Sequence, residues 1–236
     1  MDGTLPARRA LAGLSLALSL AIVPPGCSTF QGTTAASFLH KIRDDPDPNV
    51  RYQAYHNLAS PRCYENDQQK AEAVRILIEK LEAGKEPIAT RAVICRTLGE
   101  LRDPAARPTL IKAVSDPEGG VRVQACRALG KVGTPEDAVL LSRIMTVDTL
   151  EDCRIAAIEG IGELKTRDPR ILDVLLTGMD HDDPAFRLAS VQALRKLTGQ
   201  DHGVDLAAWQ KALGPLIRPE TKPTQTATAA PTPTRR

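Results

Sequence analysis

Five segments of the chain share one pattern built around an arginine, and this repetition limits the possible folds more than any other feature. The shared arginines are Arg51, Arg91, Arg122, Arg154 and Arg187, with spacings of 40, 31, 32 and 33 residues. The first spacing is longer because a loop, residues 61–69, is inserted. A nearly constant period of this length indicates one supersecondary unit repeated along the chain.

Each repeated segment has the hydrophobic period of a helix. Counted from its arginine, positions −1, +3, +4 and +7 are mostly apolar, so they share one helical face. Position +6 is small or short in every copy, which lets a neighbouring helix approach closely: Asn57, Thr97, Ala128, Gly160 and Ala193. We predict that each segment is the second helix of a hairpin, and that four of the first helices span about 71–83, 104–115, 135–147 and 169–179.

Start and stop signals agree with this period. A capping residue followed by proline precedes three first helices, at Asp103-Pro104, Thr134-Pro135 and Asp168-Pro169. The same device recurs before three second helices, at Asp47-Pro48, Asp116-Pro117 and Asp183-Pro184. A glycine follows position +7 in three copies, and we predict helix C-termini there: Gly99, Gly130 and Gly162.

The series Asp-Pro, helix, Asp-Pro-x-Val-Arg-x-x-Ala and Leu-Gly resembles the short HEAT repeats related to phycobilin lyases, over residues 35–197. The resemblance implies an all-α fold, a right-handed α-solenoid of about five HEAT-type hairpins within residues 34–214. Residues 197–209 resemble a C-terminal segment of planctomycete-type bacterial HEAT-repeat proteins, among them lipoproteins. There we expect a cap at Asp205 and a short helix whose Trp209 covers the last hydrophobic face.

The N-terminus predicts export. Arg8 and Arg9 precede an apolar run over 10–23, which Pro24, Pro25 and Gly26 end before Cys27. Residues 1–27 therefore resemble a signal peptide that ends at a lipobox, although the two prolines depart from that motif. Lipid attachment at Cys27 would tether the protein to a membrane of the periplasm or cell envelope. Cleavage with secretion, an uncleaved anchor and a plain loop cysteine are the alternatives.

The other end of the chain is rich in Pro, Thr and Ala. We predict that residues 215–236 form a disordered tail, since they hold almost nothing that could be buried.

The repeated arginines have a structural interpretation. In the family that the repeats resemble, this arginine meets an aspartate of a neighbouring loop and forms a ladder along the stack. The resemblance implies that Asp47, Asp116 and Asp183 supply the carboxylates. A row of arginines that binds a ligand is the alternative.

Two further positions of the second helices predict a binding surface. Positions +1 and +5 lie opposite the buried face, on the concave side, and could form a groove for an extended or helical peptide. The candidates are Tyr52, Val123, Ile155 and Leu188 at +1, with Arg96, Arg127, Glu159 and Gln192 at +5. The alternative is that +1 packs on the next repeat and +5 is merely solvated.

The remaining reactive side chains favour no chemistry. Cys95, Cys126 and Cys153 occupy core positions, and hairpins stacked about 10 Å apart exceed the Cα separation of about 7 Å that a disulfide tolerates. Cys63 lies in the inserted loop, where another thiol could reach it. Residues 180–183, Asp-His-Asp-Asp, are the one metal-like cluster, and we interpret them as a solvated turn. We expect no metal, no cofactor and no catalytic residue.

The function predicted from these features is a non-catalytic scaffold or adaptor of the cell envelope with an unknown protein partner. A lyase-like or chromophore-handling protein is the alternative, through the family resemblance. Nucleic-acid binding is disfavoured, because the net charge is only +2.

Overall fold

A computed structural model of the protein describes residues 33–218. These residues form eleven α-helices and contain no strand. The first ten helices pair into five hairpins: α1 (Ala35–Asp44) with α2 (Pro48–Asn57), α3 (Asp67–Ala83) with α4 (Ile88–Leu101), α5 (Arg107–Ala113) with α6 (Gly119–Val132), α7 (Ala138–Val147) with α8 (Glu151–Glu163), and α9 (Pro169–Gly178) with α10 (Pro184–Thr198). The last helix is α11 (Leu206–Ile217). The predicted α-solenoid of five hairpins and a capping helix is confirmed.

The helices begin where the predicted caps stand. The carboxylates of Asp47, Asp168 and Asp183 each accept the backbone N–H two residues on, and a proline occupies the first turn of α2, α9 and α10. Such caps satisfy amides that have no partner inside the helix. Two of the first helices open with a 3₁₀ turn, at Pro104–Ala106 and Pro135–Asp137.

The second helices of the hairpins form the inner layer of the stack. α4, α6, α8 and α10 make far more contacts with one another than the first helices α3, α5, α7 and α9 do. Helices that are closer together on one side curve the stack toward that side, so the second helices line the concave face. Between the layers lies an aliphatic core, in which Ala125, Cys126 and Leu129 of positions +3, +4 and +7 are fully buried.

Glycines set the spacing within the inner layer. Gly99, Gly130 and Gly162 lie in the last turn of helices α4, α6 and α8, so each helix continues one or two residues beyond the predicted C-terminal glycine. A Cβ on Gly130 would stand 2.5 Å from the Cα of Gly160 in the next helix. Gly99 faces Ala128 and Gly162 faces Ala193 in the same way. Position +8 of one repeat therefore touches the small +6 residue of the next.

The C-terminal end of the stack is covered as predicted. Trp209 is fully buried, its indole N–H donates to the Gly203 carbonyl at 3.0 Å, and Asp205 caps α11. The helix passes through Pro215 and ends at Ile217, so residues 215–217 are helical and the prediction that they belong to a disordered tail is wrong. The predicted signal peptide, Cys27 and residues 219–236 lie outside the described residues.

None of the helices between residues 33 and 218 combines the length and apolar character that crossing a bilayer requires.

Candidate functional site: the inner face and its arginine ladder

The arginine ladder is most complete at the third repeat. Arg122 donates from Nε to Asp148 Oδ2 at 2.8 Å and from Nη2 to Oδ1 at 2.9 Å. These two hydrogen bonds hold the pKa of Asp148 at about 2, below its usual 3.8. Asp148 lies in the loop before the next second helix, so the bidentate pair ties two adjacent repeats together.

Two earlier arginines bind their neighbours in the same sense. Arg51 forms an ion pair with Glu86 at 3.2 Å, and Arg91 forms one with Asp116. Each acid belongs to the hairpin that follows its arginine. Because all four side chains are mostly buried between repeats, they fix the angle between hairpins.

Two of the predicted acids do not take part in the ladder. Asp47 and Asp183 accept the amides of Asn49 and Ala185 as helix caps, whereas Asp116 is paired as predicted. The carboxylates that the sequence reasoning missed are Glu86 and Asp148. Both could have been found by their position in the repeat, because each stands five or six residues before the repeated arginine of its own hairpin, as Asp116 does.

The fourth repeat departs from the pattern. Arg154 donates to the Met145 carbonyl at 2.9 Å, and its Nη2 lies 3.3 Å from His181 Nε2. The guanidinium also lies over the ring of Phe186, 4.8 Å from its centre, and His181 stacks on the same ring. His181 thus stands where the other repeats have a ladder carboxylate, and its Nδ1 accepts the Asp183 amide at 3.1 Å. Within residues 33–218, no group of three or more His, Cys, Asp or Glu side chains is arranged to hold a metal ion.

Side chains at position +5 pair with one another between neighbouring repeats. Arg127 Nε donates to Glu159 Oε2 at 2.6 Å, and Arg96 Nη2 lies 2.5 Å from His56 Nδ1. One turn further along the same helices, two lysine–glutamate pairs cross between neighbouring repeats, Lys131–Glu100 at 2.6 Å and Lys196–Glu163 at 2.7 Å. The inner face is therefore charged but largely self-neutralised.

The +1 row changes character along the stack. Val123 is only 9% exposed and belongs to the buried core, so its prediction as an accessible groove residue is wrong. Tyr52 and Ile155 are half-buried against the core, and Leu188 is 50% exposed. Leu188 is the most exposed of the four because no sixth second helix stands beside it among the described residues. Gln192, in the +5 row of the same helix, is also exposed.

Two of the buried cysteines contact each other. Cys95, Cys126 and Cys153 are fully buried, but the sulfur atoms of Cys126 and Cys153 lie only 4.0 Å apart. At this distance the two thiols contact each other and form no disulfide. Their mutual hydrogen bond and burial raise the pKa of Cys126. Cys63 is also buried and donates to the Ser60 carbonyl at 3.0 Å, so it is not the accessible thiol predicted.

The paired helices, the two-layer stack and the ladder between hairpins define an α-solenoid repeat protein. A family model for HEAT repeats matches residues 74–162 and 138–213, which together are more than half of the chain. The chain belongs to the HEAT-repeat proteins.

A solved structure agrees with this fold. The complex of CpcE and CpcF of phycocyanin lyase from Nostoc sp. PCC7120 is similar, with a TM-score of 0.59, 18% identity, and 89% of this chain and 73% of that chain covered. Human deoxyhypusine hydroxylase matches more weakly, with a TM-score of 0.35, 13% identity, and 78% and 84% of the two chains covered. A search of curated protein sequences finds no match. At 18% identity, the likeness to the phycocyanin lyase complex extends to the fold alone.

Proposed function

We propose that the protein is a non-catalytic scaffold of the cell envelope that binds another protein on the inner face of its HEAT-repeat stack. The observation that carries the proposal is the C-terminal part of that face, where Leu188 exposes half of its apolar side chain beside the exposed Gln192. An apolar residue on a polar, concave surface is a suitable anchor for a partner's side chain.

The charges on the inner face support a partner of mixed charge. Arg127 and Glu159 neutralise each other, and so do the two lysine–glutamate pairs. Because positive and negative charges alternate on the inner face, its electrostatic potential attracts neither an acidic nor a basic partner strongly at long range. Recognition then depends on contacts at short range, which favours a folded or helical protein segment over nucleic acid.

Location and attachment are part of the same proposal. The apolar run that ends before Cys27 supports export, and lipid at Cys27 would hold the solenoid at a membrane surface. The similar phycocyanin lyase structure is a complex of two proteins, which supports a protein as the first partner to seek. A lyase-like or chromophore-handling activity is the alternative function.

Two matched substitutions test the binding surface. Leu188→Asp changes the inner face, and Val139→Asp changes an equally exposed apolar residue, 52% accessible, on the outer helix α7. Affinity capture from envelope extracts should recover a partner with wild type and Val139→Asp, and should lose it with Leu188→Asp. Recovery of the same partner with all three proteins would refute the inner face as the binding site.

A further inference from the structure

The thiols of Cys126 and Cys153 meet at the joint between the third and fourth repeats. Cys126 stands at position +4 of α6, and Cys153 stands at position −1, in the first turn of α8. Both side chains are fully buried, and their sulfur atoms lie 4.0 Å apart. A disulfide bond is about 2 Å long, so the two sulfur atoms need to approach each other by only about 2 Å to form one.

The backbones of the two helices already touch at this joint. A Cβ placed on Gly160 of α8 would stand 2.6 Å from the carbonyl oxygen of Cys126 in α6. Because the helices are in backbone contact at a residue that carries one of the thiols, the remaining approach requires side-chain rotation and small local shifts, without a rearrangement of the repeats.

The surroundings of the pair favour Cys153 as the thiol that reacts first. The hydrogen bond from Cys126 lowers the pKa of the Cys153 thiol, and burial only partly opposes this effect. The charges of Asp148 and Arg122 act on the same thiol in opposite directions. The pKa of Cys126 is raised instead, because Cys126 donates that hydrogen bond and is buried. The thiolate is the nucleophile of thiol–disulfide exchange, so the cysteine with the lower pKa attacks.

We propose that Cys126 and Cys153 form a disulfide between the third and fourth repeats when the chain meets an oxidant that itself carries a disulfide. The Cys153 thiolate attacks one sulfur of the oxidant, so a mixed disulfide forms and the other sulfur leaves as a thiolate. Cys126 then gives its proton to a departing thiolate and attacks the Cys153 sulfur, which releases the second half of the oxidant. Two cysteine thiols are oxidised, and the disulfide of the oxidant is reduced to two thiols.

Burial determines when this exchange takes place. Neither sulfur atom is accessible in the folded stack, so an oxidant reaches the pair while the chain folds or when the first turn of α8 opens. Once formed, the bond is protected from reductants by the same burial. Compartments outside the cytosol supply such oxidants, and for that supply alone the inference rests on the proposed export.

The bond would join the same two repeats as the Arg122–Asp148 ion pair. That pair holds the joint only while Asp148 is ionised, whereas a disulfide holds it in either charge state. The preceding repeat provides a matched control within the chain. Cys95 is also fully buried at position +4, but the residue equivalent to Cys153 in the next repeat is Val121.

Refolding of the purified full chain in a mixture of oxidised and reduced glutathione tests the pair. After alkylation of the remaining thiols and digestion with trypsin, mass spectrometry should find the peptide 123–127 joined to the peptide 144–154, with Cys95 alkylated. The bond closes a loop of 27 residues, so the oxidised protein should unfold at a higher temperature. We expect a rise of about 5–10 °C in the thermal midpoint, which dithiothreitol reverses.

Three variants distinguish this bond from other oxidation. Cys126→Ala and Cys153→Ala should each lose the joined peptides and the rise in thermal midpoint, whereas Cys95→Ala should keep both. Alkylation of both Cys126 and Cys153 in the refolded wild type would overturn the proposal, and so would a glutathione adduct that persists on Cys153 or equal yields of bonds to Cys63 or Cys95. The purified protein needs neither export nor a partner, so these results are independent of the partner capture at Leu188.

Discussion

A Cβ placed on Gly130 would lie 2.5 Å from the Cα of Gly160 and 2.6 Å from its carbonyl oxygen. The two glycines meet near the C-terminal ends of α6 and α8, where the helices approach most closely. Backbone atoms cannot move aside as a flexible side chain can, so any side chain here must push the two helices apart.

Gly130→Ala should therefore destabilise the protein, by about 1–3 kcal/mol, a cost typical of an overpacked interior. Gly120→Ala is the matched control, because it lies in the same helix and its Cβ would meet nothing within 4 Å. That control should be neutral or stabilising by up to about 1 kcal/mol. Urea unfolding followed by circular dichroism compares the two, and equal midpoints would show that α6 and α8 tolerate a wider spacing.

These glycines also show what the sequence could predict. The period of positions −1, +3, +4 and +7 was sufficient to place the helices and the core, because burial of one face determines both. A glycine after an apolar residue, however, fits a helix C-terminus and a close helix crossing equally well. Which of the two applies depends on whether the helix continues beyond the glycine. At Gly99 it does, because Glu100 and Leu101 still belong to α4.

The sequence predicted a ladder of arginine–carboxylate pairs between repeats, but it identified only Asp116 among the three carboxylates that form it. Before α2, α6 and α10, polar residues stand both four and six positions before the arginine, as at Asp47 and Asp45. Asp47 caps its helix and Glu118 does not, whereas Asp116, six positions before Arg122, pairs with the previous repeat, and sequence spacing alone does not distinguish these roles. Val123 and Leu188 occupy equivalent positions, yet their exposures differ because only Val123 has a following second helix beside it.

The Arg122–Asp148 pair predicts a pH dependence. The Asp148 carboxyl has a pKa of about 2 when folded, against a usual 3.8, so its ionised form stabilises the native state above about pH 4. As pH falls toward 2, this contribution of about 2 kcal/mol is lost. Asp148→Asn should therefore flatten the fall in unfolding free energy between pH 4 and 2. Asp152→Asn, at an exposed position of α8, should follow wild type, and parallel curves for all three would exclude the pair as a source of stability.

Export and lipid attachment predict a change of partition. Cys27→Ser removes the thiol that a lipid would occupy and alters nothing among residues 33–218. Wild type should sediment with membranes and be released by detergent, whereas Cys27→Ser should be released without detergent. Cys63→Ser controls for the loss of a thiol. Equal partition of wild type and Cys27→Ser would contradict a lipid tether.

The contrast between Val123 and Leu188 separates core from surface within one row of the inner face. Val123→Asp would bury a charge between repeats, at a cost of several kcal/mol, comparable to the stability of a whole domain. Ala125→Glu, at a fully buried position of the same helix, should be as damaging. Leu188→Asp should change the unfolding free energy by no more than about 0.5 kcal/mol, because half of that side chain already contacts water. Thermal unfolding followed by circular dichroism measures all three. A large loss with Leu188→Asp would mean that this end of the inner face is covered, and the groove would then be shorter than its exposed residues indicate.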